Sequence, residues 1–69
     1  MESILFVALS TTMAEIAKQV SKEMNLNIHI EVGSQKDVKD LLNKYPNVEV
    51  FISRGKTAEE ITKSTDKAV

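Results

Sequence analysis

The class of fold is decided near the start of the chain by the run Ile4-Leu5-Phe6-Val7-Ala8-Leu9. Every side chain in this run is apolar, and most belong to residue types that favour strands. A continuous apolar run indicates a strand buried on both faces, as in a parallel sheet. The polar segment Ser10-Thr11-Thr12 follows at once and predicts a loop.

An amphipathic helix is predicted after that loop. Thr12 and Glu15 have the spacing of a capping box, and Asn25 is a residue type that can end a helix. The helical spacing of the apolar residues predicts one stripe facing the core, and the two methionines in it are expected to serve packing. The stripe consists of Met13, Ile16, Ala17, Val20 and Met24.

A strand, a turn and a second helix are predicted next. Residues 26–32 alternate, with Leu26, Ile28, Ile30 and Val32 on one side and Asn27, His29 and Glu31 on the other. This pattern is typical of a half-exposed strand at a sheet edge. Gly33 and Ser34 form a turn and an N-cap. The apolar residues of the helix that follows are Val38, Leu41, Leu42 and Tyr45, and Pro46 stops it.

The last third of the chain predicts a third strand at residues 48–52 and a short loop at residues 53–56. Thr57 and Glu60 have capping-box spacing and open a helix that turns Ala58 and Ile61 inward. Residues 66–69 are a tail and a candidate start of a fourth strand.

Alternation of strands and helices predicts an α/β fold with a parallel sheet and right-handed crossovers. The doubly buried first strand belongs in the middle and the second at an edge, which gives the order 2-1-3 in a three-layer αβα arrangement. This is half of a flavodoxin-like fold, formed by residues 1–69 as one unit. The first helix covers one face and the other two the opposite face. The third strand then keeps an uncovered apolar surface, so we expect a fragment of a larger domain or pairing with a second copy.

Composition excludes several classes of function. The chain has 69 residues, with nine Lys and Arg against ten Asp and Glu, and this balance lacks the cation surplus of a nucleic-acid-binding protein. Without cysteine there is no disulfide, thiolate nucleophile or Cys-based metal site. The apolar run is too short to span a membrane, and Glu2 stands where a signal peptide needs basic residues. We therefore expect a cytoplasmic protein that contacts neither membrane nor nucleic acid directly.

A binding site is predicted where the strand order reverses, because ligands of open parallel sheets bind there, beyond the carboxyl ends of the strands. Two loops meet at this point, and they contain hydroxyls, two cations, a glycine and two helix N-termini, which together favour an anion. The candidate residues are Ser10, Thr11, Thr12, Ser53, Arg54, Gly55, Lys56 and Thr57. Capping threonines and solvated surface cations explain the same residues without any ligand.

Enzymatic and cofactor functions find little support. Gly55-Lys56-Thr57 is similar to the end of a nucleotide-binding P-loop, but Val50 stands where that motif requires glycine. A phosphorylatable receiver would need an acidic pair after strand one and Asp at position 53. A flavin site would need glycine in the first loop. His29 is alone on a polar strand face, and Glu59 and Glu60 do not face each other, so we expect no catalytic residue, metal or cofactor.

Residues 48–61 resemble a signature of the N-terminal sensory domain of propionate catabolism activators, which are sigma-54-dependent, NtrC-type transcriptional regulators. That domain has a strand ending in Ile-Ser-Arg-Gly-Gly-Thr-Ala, followed by a helix. Ser53, Arg54, Gly55, Thr57 and Ala58 match it, and Lys56 replaces the second glycine. The matching segment is about a fifth of the chain, while the strand–helix order agrees throughout.

The resemblance implies a ligand-sensing fragment rather than an enzyme. The family's sensor binds a small metabolite, 2-methylcitrate in its founding members, and controls an attached ATPase and a DNA-binding domain. Those domains would belong to the parent protein. The resemblance assigns the ligand to Ser53, Arg54, Gly55 and Thr57, whereas Ser10, Thr11, Thr12 and Lys56 follow from the two loops. The alternative is a structural half-domain that forms a homodimer through its exposed sheet edge and face, with no ligand.

Overall fold

A computed structural model describes residues 4–69 and confirms the predicted α/β class. Strands and helices alternate along the chain, with one short 3₁₀ helix before the second α-helix. The elements are β1 Ile4–Ala8, α1 Thr11–Glu23, β2 His29–Val32, the 3₁₀ helix Gln35–Asp37, α2 Val38–Lys44, β3 Val50–Ile52 and α3 Gly55–Ser64. Within the described residues, none of these helices combines the length and apolar character needed to cross a membrane.

The sheet has the predicted order β2-β1-β3, and both strand pairs are parallel. Leu5 lies at the centre of the register, opposite His29 in β2 and Phe51 in β3. The strand with the continuous apolar run is therefore in the middle and the strand predicted to alternate is at an edge, in the arrangement of half a flavodoxin-like fold.

A single parallel bridge between Val50 and Ala68 lies where the start of a fourth strand was predicted, although residues 66–69 form no strand. The Phe51 amide donates to the Ala68 carbonyl over 2.9 Å. The C-terminal residues thus lie along the outer edge of β3, and β2 forms the opposite edge of the sheet.

The main core lies between the sheet and the layer formed by α2 and α3. Its side chains come from the sheet, from α2 and from α3. The predicted inward face of α2 and the inward position of Ile61 in α3 are confirmed, whereas Ala58 is only half-buried. The cluster consists of Leu5, Val7, Val38, Leu41, Val48, Phe51 and Ile61, with Leu42 and Tyr45 packed against it.

Helix α1 lies over β1 and β2, and here the predicted apolar stripe is wrong. The buried positions are the small residues Ala14 and Ser21, whereas Ile16 is 58% exposed and Met24 is 64% exposed. Small side chains let a helix approach the sheet closely, and the Ser21 hydroxyl is satisfied by donating to the Leu26 carbonyl over 3.0 Å. The larger apolar side chains are consequently displaced toward the side of β3.

The uncovered apolar surface expected beside β3 is present. Phe6 and Ile52 are register partners in neighbouring strands, so they point to the same side of the sheet, the side of α1. Within residues 4–69 no helix lies over them on the β3 side. We call the following residues the open apolar face: Phe6, Met13, Ile16, Ala17, Val20 and Ile52.

The N-terminal end of α1 differs from the prediction, whereas its C-terminal end agrees with it. The N-cap is Ser10, whose hydroxyl accepts from the Met13 amide over 3.2 Å, so the Thr12 and Glu15 capping box is wrong. Asn25 does end the helix, with a left-handed φ of 55°. The Leu26 amide reaches the Ser21 carbonyl and the Asn25 amide reaches that of Lys22, which is a Schellman motif.

The turn before α2 is formed as predicted. The Gly33 amide donates to the Ala8 carbonyl over 2.9 Å. The Ser34 amide donates to the Asp37 carboxylate over 2.8 Å, and the Ser34 hydroxyl donates to the same oxygen over 3.1 Å. These bonds hold the pKa of Asp37 below its usual value, because they favour the charged carboxylate.

Helix α3 begins at Gly55 rather than after residue 56, so Gly55 and Lys56 belong to the helix and not to the loop. Thr57 therefore does not cap it. Thr57 lies in the first turn and is only 3% exposed, and its predicted capping box with Glu60 is wrong. Gly55 has a φ of +64°, a left-handed value that other residues adopt at a cost.

The strands are shorter than predicted because neighbouring hydrogen bonds hold their ends. The strand predicted at 26–32 begins only at His29, since the Leu26 amide caps α1. The strand predicted at 48–52 begins at Val50, since the Val48 amide donates to the Tyr45 carbonyl over 3.3 Å in the turn after α2. The first strand ends at Ala8, one residue before the predicted end.

Candidate functional site

The two predicted loops follow neighbouring strands at the carboxyl edge of the sheet. β1 ends at Ala8 and β3 ends at Ile52, and the two strands are paired and parallel. The residue that caps α1 is Ser10, and the one that precedes α3 is Arg54. Because α1 and α3 lie on opposite faces, two helix N-termini flank the switch point between β1 and β3.

On the α1 side, Ser10, Thr11 and Thr12 are all exposed. The Ser10 hydroxyl accepts a bond from the helix and keeps its own proton, which it can donate to a ligand. Thr11 and Thr12 lie in the first helical turn, and this turn contains no acidic residue. The local partial charge is therefore positive and favours an anion.

On the α3 side, Arg54, Gly55 and Lys56 are exposed. Arg54 has an extended backbone and its side chain makes no capping bond to the helix. The ion pair seen within residues 4–69 joins Lys44 to Glu31 and involves neither Arg54 nor Lys56. The first turn of α3 also lacks an acidic residue, so two cations accompany a second helix N-terminus.

Ser53 and Thr57 lie deeper than the rest of the predicted set. The Ser53 Oγ is buried and has no hydrogen-bond partner among residues 4–69, which is unusual because buried hydroxyls are normally paired. Thr57 is part of the interior and anchors the first turn of α3. Six of the predicted residues are therefore exposed at the carboxyl edge of the sheet. Ser53 contributes a buried hydroxyl that has no partner among residues 4–69, and Thr57 lies beneath the others.

The best-defined surface hollows of the described residues measure about 270–540 Å³, and residues 10–12 and 53–57 do not line these hollows. Because most of the predicted residues are exposed, we call them the ledge. Within the same residues there is no group of three or more His, Asp or Glu side chains that could hold a metal ion. The ledge offers donors and positive charge, which suit a small carboxylate or phosphate.

A second polar cluster lies at the opposite end of the molecule, between β2 and the end of α2. The Tyr45 hydroxyl donates to Oε2 of Glu31, and Lys44 Nζ donates to the same oxygen over 2.9 Å. The His29 and Tyr45 rings have centroids 5.0 Å apart and planes tilted by 40°. A hollow of about 270 Å³ adjoins His29, Lys44 and Tyr45.

The protonation of this cluster follows from its hydrogen bonds. Bonds from Tyr45 and Lys44 hold the pKa of the Glu31 carboxyl below its usual value. The hydrogen bond that Tyr45 donates to this carboxylate raises the pKa of Tyr45, because only the neutral phenol can donate it. The bond to Glu31 also raises the pKa of Lys44. At neutral pH the cluster therefore consists of a carboxylate, an ammonium and a neutral phenol.

Sequence reasoning missed this cluster and treated His29 as an isolated surface residue. A usable signal was present, since His29 and Glu31 share one face of an edge strand. The helix that follows a parallel strand runs back along it, so the end of α2 returns to the start of β2. Lys44 and Tyr45 stand at that helix end.

Comparison with protein-family models, curated proteins and solved structures finds no match for this chain. Its class therefore rests on its own architecture, an α/β unit with a three-stranded parallel sheet between two helical layers.

Proposed function

We propose that this chain is the ligand-sensing fragment of a sigma-54-dependent transcriptional regulator, and that it binds a small carboxylate metabolite at the carboxyl edge of its sheet. The observation that carries the proposal is the placement of Arg54. Its exposed side chain lies two residues after the end of β3, at the N-terminus of α3 and across the switch point from the N-terminus of α1.

Each residue of the ledge has a distinct role in this proposal. Arg54 binds a carboxylate through two parallel N–H bonds, and Lys56 adds a second positive charge. Ser10, Thr11 and Thr12 donate hydroxyl bonds to the other end of the ligand. The Ser53 hydroxyl, buried and unpaired among the described residues, gains a partner when a ligand oxygen reaches it.

The likeness of residues 48–61 to the sensory domain of propionate catabolism activators supports a tricarboxylate of the 2-methylcitrate type as the ligand. In this proposal the ATPase and DNA-binding domains belong to the parent regulator in the cytoplasm. The sensor has no catalytic residue or cofactor of its own, and it touches neither nucleic acid nor membrane.

The proposal is tested by titrating the ¹⁵N-labelled protein with citrate, 2-methylcitrate and inorganic phosphate and following the amide NMR signals. We expect shifts centred on residues 10–12 and 53–57. Arg54→Ala should weaken tricarboxylate binding by about 1–3 kcal/mol, the scale of a lost charged hydrogen bond. Lys22→Ala is the matched control, because it removes an exposed cation from the far end of α1.

Two results would reject the assignment. One is an Arg54→Ala protein that binds as tightly as the unsubstituted protein. The other is a folded protein whose signals stay in place with all three anions, since a competent site on a folded scaffold must respond to its ligand.

A second candidate function is self-association of a structural half-domain that has no ligand. The observation that favours it is the open apolar face, in which Ile16 and Ile52 are 58% and 42% exposed, beside a β3 edge covered by a single bridge. Sedimentation at increasing concentration tests it. A homodimer that Ile16→Glu dissociates would support this candidate, and a monomer at every concentration would reject it.

A further inference from the structure

A hollow of about 500 Å³ lies at the surface between α2 and α3, which contact each other side by side. A neighbouring hollow of about 490 Å³ shares Gln35, Lys36 and Glu60 with it and continues to Ser34. We call the two together the interhelical hollow. Pockets for small molecules measure roughly 300–1,000 Å³, so a metabolite of modest size fits this space.

The interhelical hollow combines a small apolar floor with polar walls. Val38 is only 2% exposed and Leu42 is half-buried, so the floor offers contact to a short hydrocarbon chain. The polar side chains around it come from the 3₁₀ helix, α2 and α3. They are Gln35, Lys36, Lys39, Asn43, Glu60 and Ser64.

The charged groups around the hollow have no ion-pair partner among residues 4–69, because the ion pair in this part of the chain joins Lys44 to Glu31. Glu60 is half-buried, and a carboxylate withdrawn from water is normally paired. Lys36 and Lys39 both line the hollow and are exposed. The hollow therefore presents two cations and one anion to a ligand.

This set of charges selects the ligand. Two ammonium groups and one carboxylate are complemented by a molecule that has two carboxylates and one ammonium group. A ligand with carboxylates alone would place a like charge beside Glu60. An apolar amino acid would match only one of the two lysines, and it would find little apolar surface for its side chain.

We propose that the interhelical hollow binds an acidic α-amino acid. Glu60 binds its ammonium group, and Lys36 and Lys39 bind its two carboxylates. The short hydrocarbon chain lies over Leu42, while the amides of Gln35 and Asn43 supply further donors and acceptors. This inference is independent of the carboxylate site proposed above, because the ledge does not line this hollow.

Titration of the ¹⁵N-labelled protein with L-glutamate and with glutarate tests the proposal. Glutarate has the same two carboxylates and the same chain length but lacks the ammonium group. We expect L-glutamate to shift the amide signals of residues 35–43 and 60–64. We expect glutarate to bind there at least about tenfold more weakly, because it cannot pair with Glu60.

Variants of the protein localise the binding. Glu60→Gln should weaken L-glutamate binding by about tenfold or more and should leave glutarate binding as strong or stronger. Lys39→Ala should weaken binding of both ligands by a similar factor. Glu59→Gln and Lys63→Ala are the matched controls, since both residues are exposed and line a different hollow on α3. Dispersed amide signals show that each variant is folded.

Equal affinity for the two ligands would overturn the proposal, as would unchanged L-glutamate binding in either Glu60→Gln or Lys39→Ala. A folded protein whose residues 35–43 and 60–64 do not respond to L-glutamate would overturn it too. Shifts centred on residues 10–12 and 53–57 that disappear in Arg54→Ala would assign L-glutamate to the ledge instead. Since Arg54→Ala should leave the interhelical hollow intact, failure of the two sites gives different results.

Discussion

Tyr45, one residue beyond α2, donates its hydroxyl hydrogen bond to Glu31 in β2 and so joins the end of a helix to the edge strand of the sheet. Lys44 donates to the same carboxylate oxygen from the preceding position. One carboxylate thus receives two donors from neighbouring residues. The bond spans 14 residues of sequence, which makes it a tertiary restraint on how α2 packs against the sheet.

Tyr45→Phe tests this restraint. The ring keeps its contact with the core and with His29, while the hydroxyl bond is lost. We expect the free energy of unfolding to fall by about 1 kcal/mol, measured by urea denaturation. In a double-mutant cycle with Glu31→Gln the two losses should not add. Full additivity would mean that the two groups do not interact in solution.

Because of this cluster, the free energy of unfolding plotted against pH should fall at both ends, along an acidic arm and an alkaline arm. The pKa of Glu31 is lowered in the folded state, so its stabilisation is present above the unfolded value of 4.5 and is lost as pH falls through the folded pKa. The pKa of Tyr45 is raised, so its contribution is present below 10.0 and is lost as pH rises through the folded pKa.

Denaturation curves across the pH range measure both arms. Tyr45→Phe should flatten the alkaline arm, because no phenol is left to ionise beside Glu31. Asp37→Asn provides the comparison at acid pH, because the pKa of Asp37 is also lowered, by Ser34. An alkaline arm that is unchanged in Tyr45→Phe would show that other groups cause it.

The cap of α1 can be assigned by comparing Ser10→Ala with Thr12→Ala. Ser10→Ala removes the oxygen that accepts from the Met13 amide, so we expect a loss of about 1 kcal/mol in the free energy of unfolding. Thr12 is exposed within the first turn, and alanine there should be neutral or slightly stabilising. A larger loss of stability for Thr12→Ala than for Ser10→Ala would show that Thr12 caps the helix instead.

Gly55 should resist replacement because of its backbone rather than its surroundings. A Cβ at this position meets no atom within 4 Å, but the φ of +64° disfavours side chains. We expect Gly55→Ala to reduce stability by about 1–2 kcal/mol and Gly55→Asn to reduce it less, since asparagine tolerates the left-handed region better. Equal losses for the two variants would point away from backbone strain as the cause.

Ser53→Ala separates stability from binding. Removing a buried hydroxyl that has no partner among residues 4–69 should raise the free energy of unfolding by up to about 1 kcal/mol. If Ser53 contacts the tricarboxylate, the same variant should bind it more weakly. A more stable protein with unchanged affinity would remove Ser53 from the proposed site and leave Arg54 there.

The strand order could be predicted because each strand has a distinct pattern. The continuous apolar run of β1 requires cover on both faces, and the alternation that includes His29 and Glu31 suits an edge. Helix α2 was also predictable, since its large apolar residues form the face that packs. In these elements burial follows hydrophobicity, which the sequence displays directly.

The orientation of α1 could not be predicted on that basis. Its buried residues are Ala14 and Ser21, which lie against the sheet because they are small and not because they are hydrophobic. Three consecutive hydroxyl residues at positions 10–12 also offered three capping choices, and local pattern alone does not decide among them. The hydrogen bond between Tyr45 and Glu31 depends on how α2 packs against β2. The sequence therefore shows the two residues but not the bond between them.

The single bridge between Val50 and Ala68 has a consequence for hydrogen exchange. The Phe51 amide is protected by the Ala68 carbonyl, near the end of the described chain, where local opening needs little free energy. Its exchange rate should therefore report on detachment of the C-terminal residues long before the sheet itself opens. Each detachment exposes an edge of β3 that another strand could pair with, so this one amide measures how often the protein is open to aggregation.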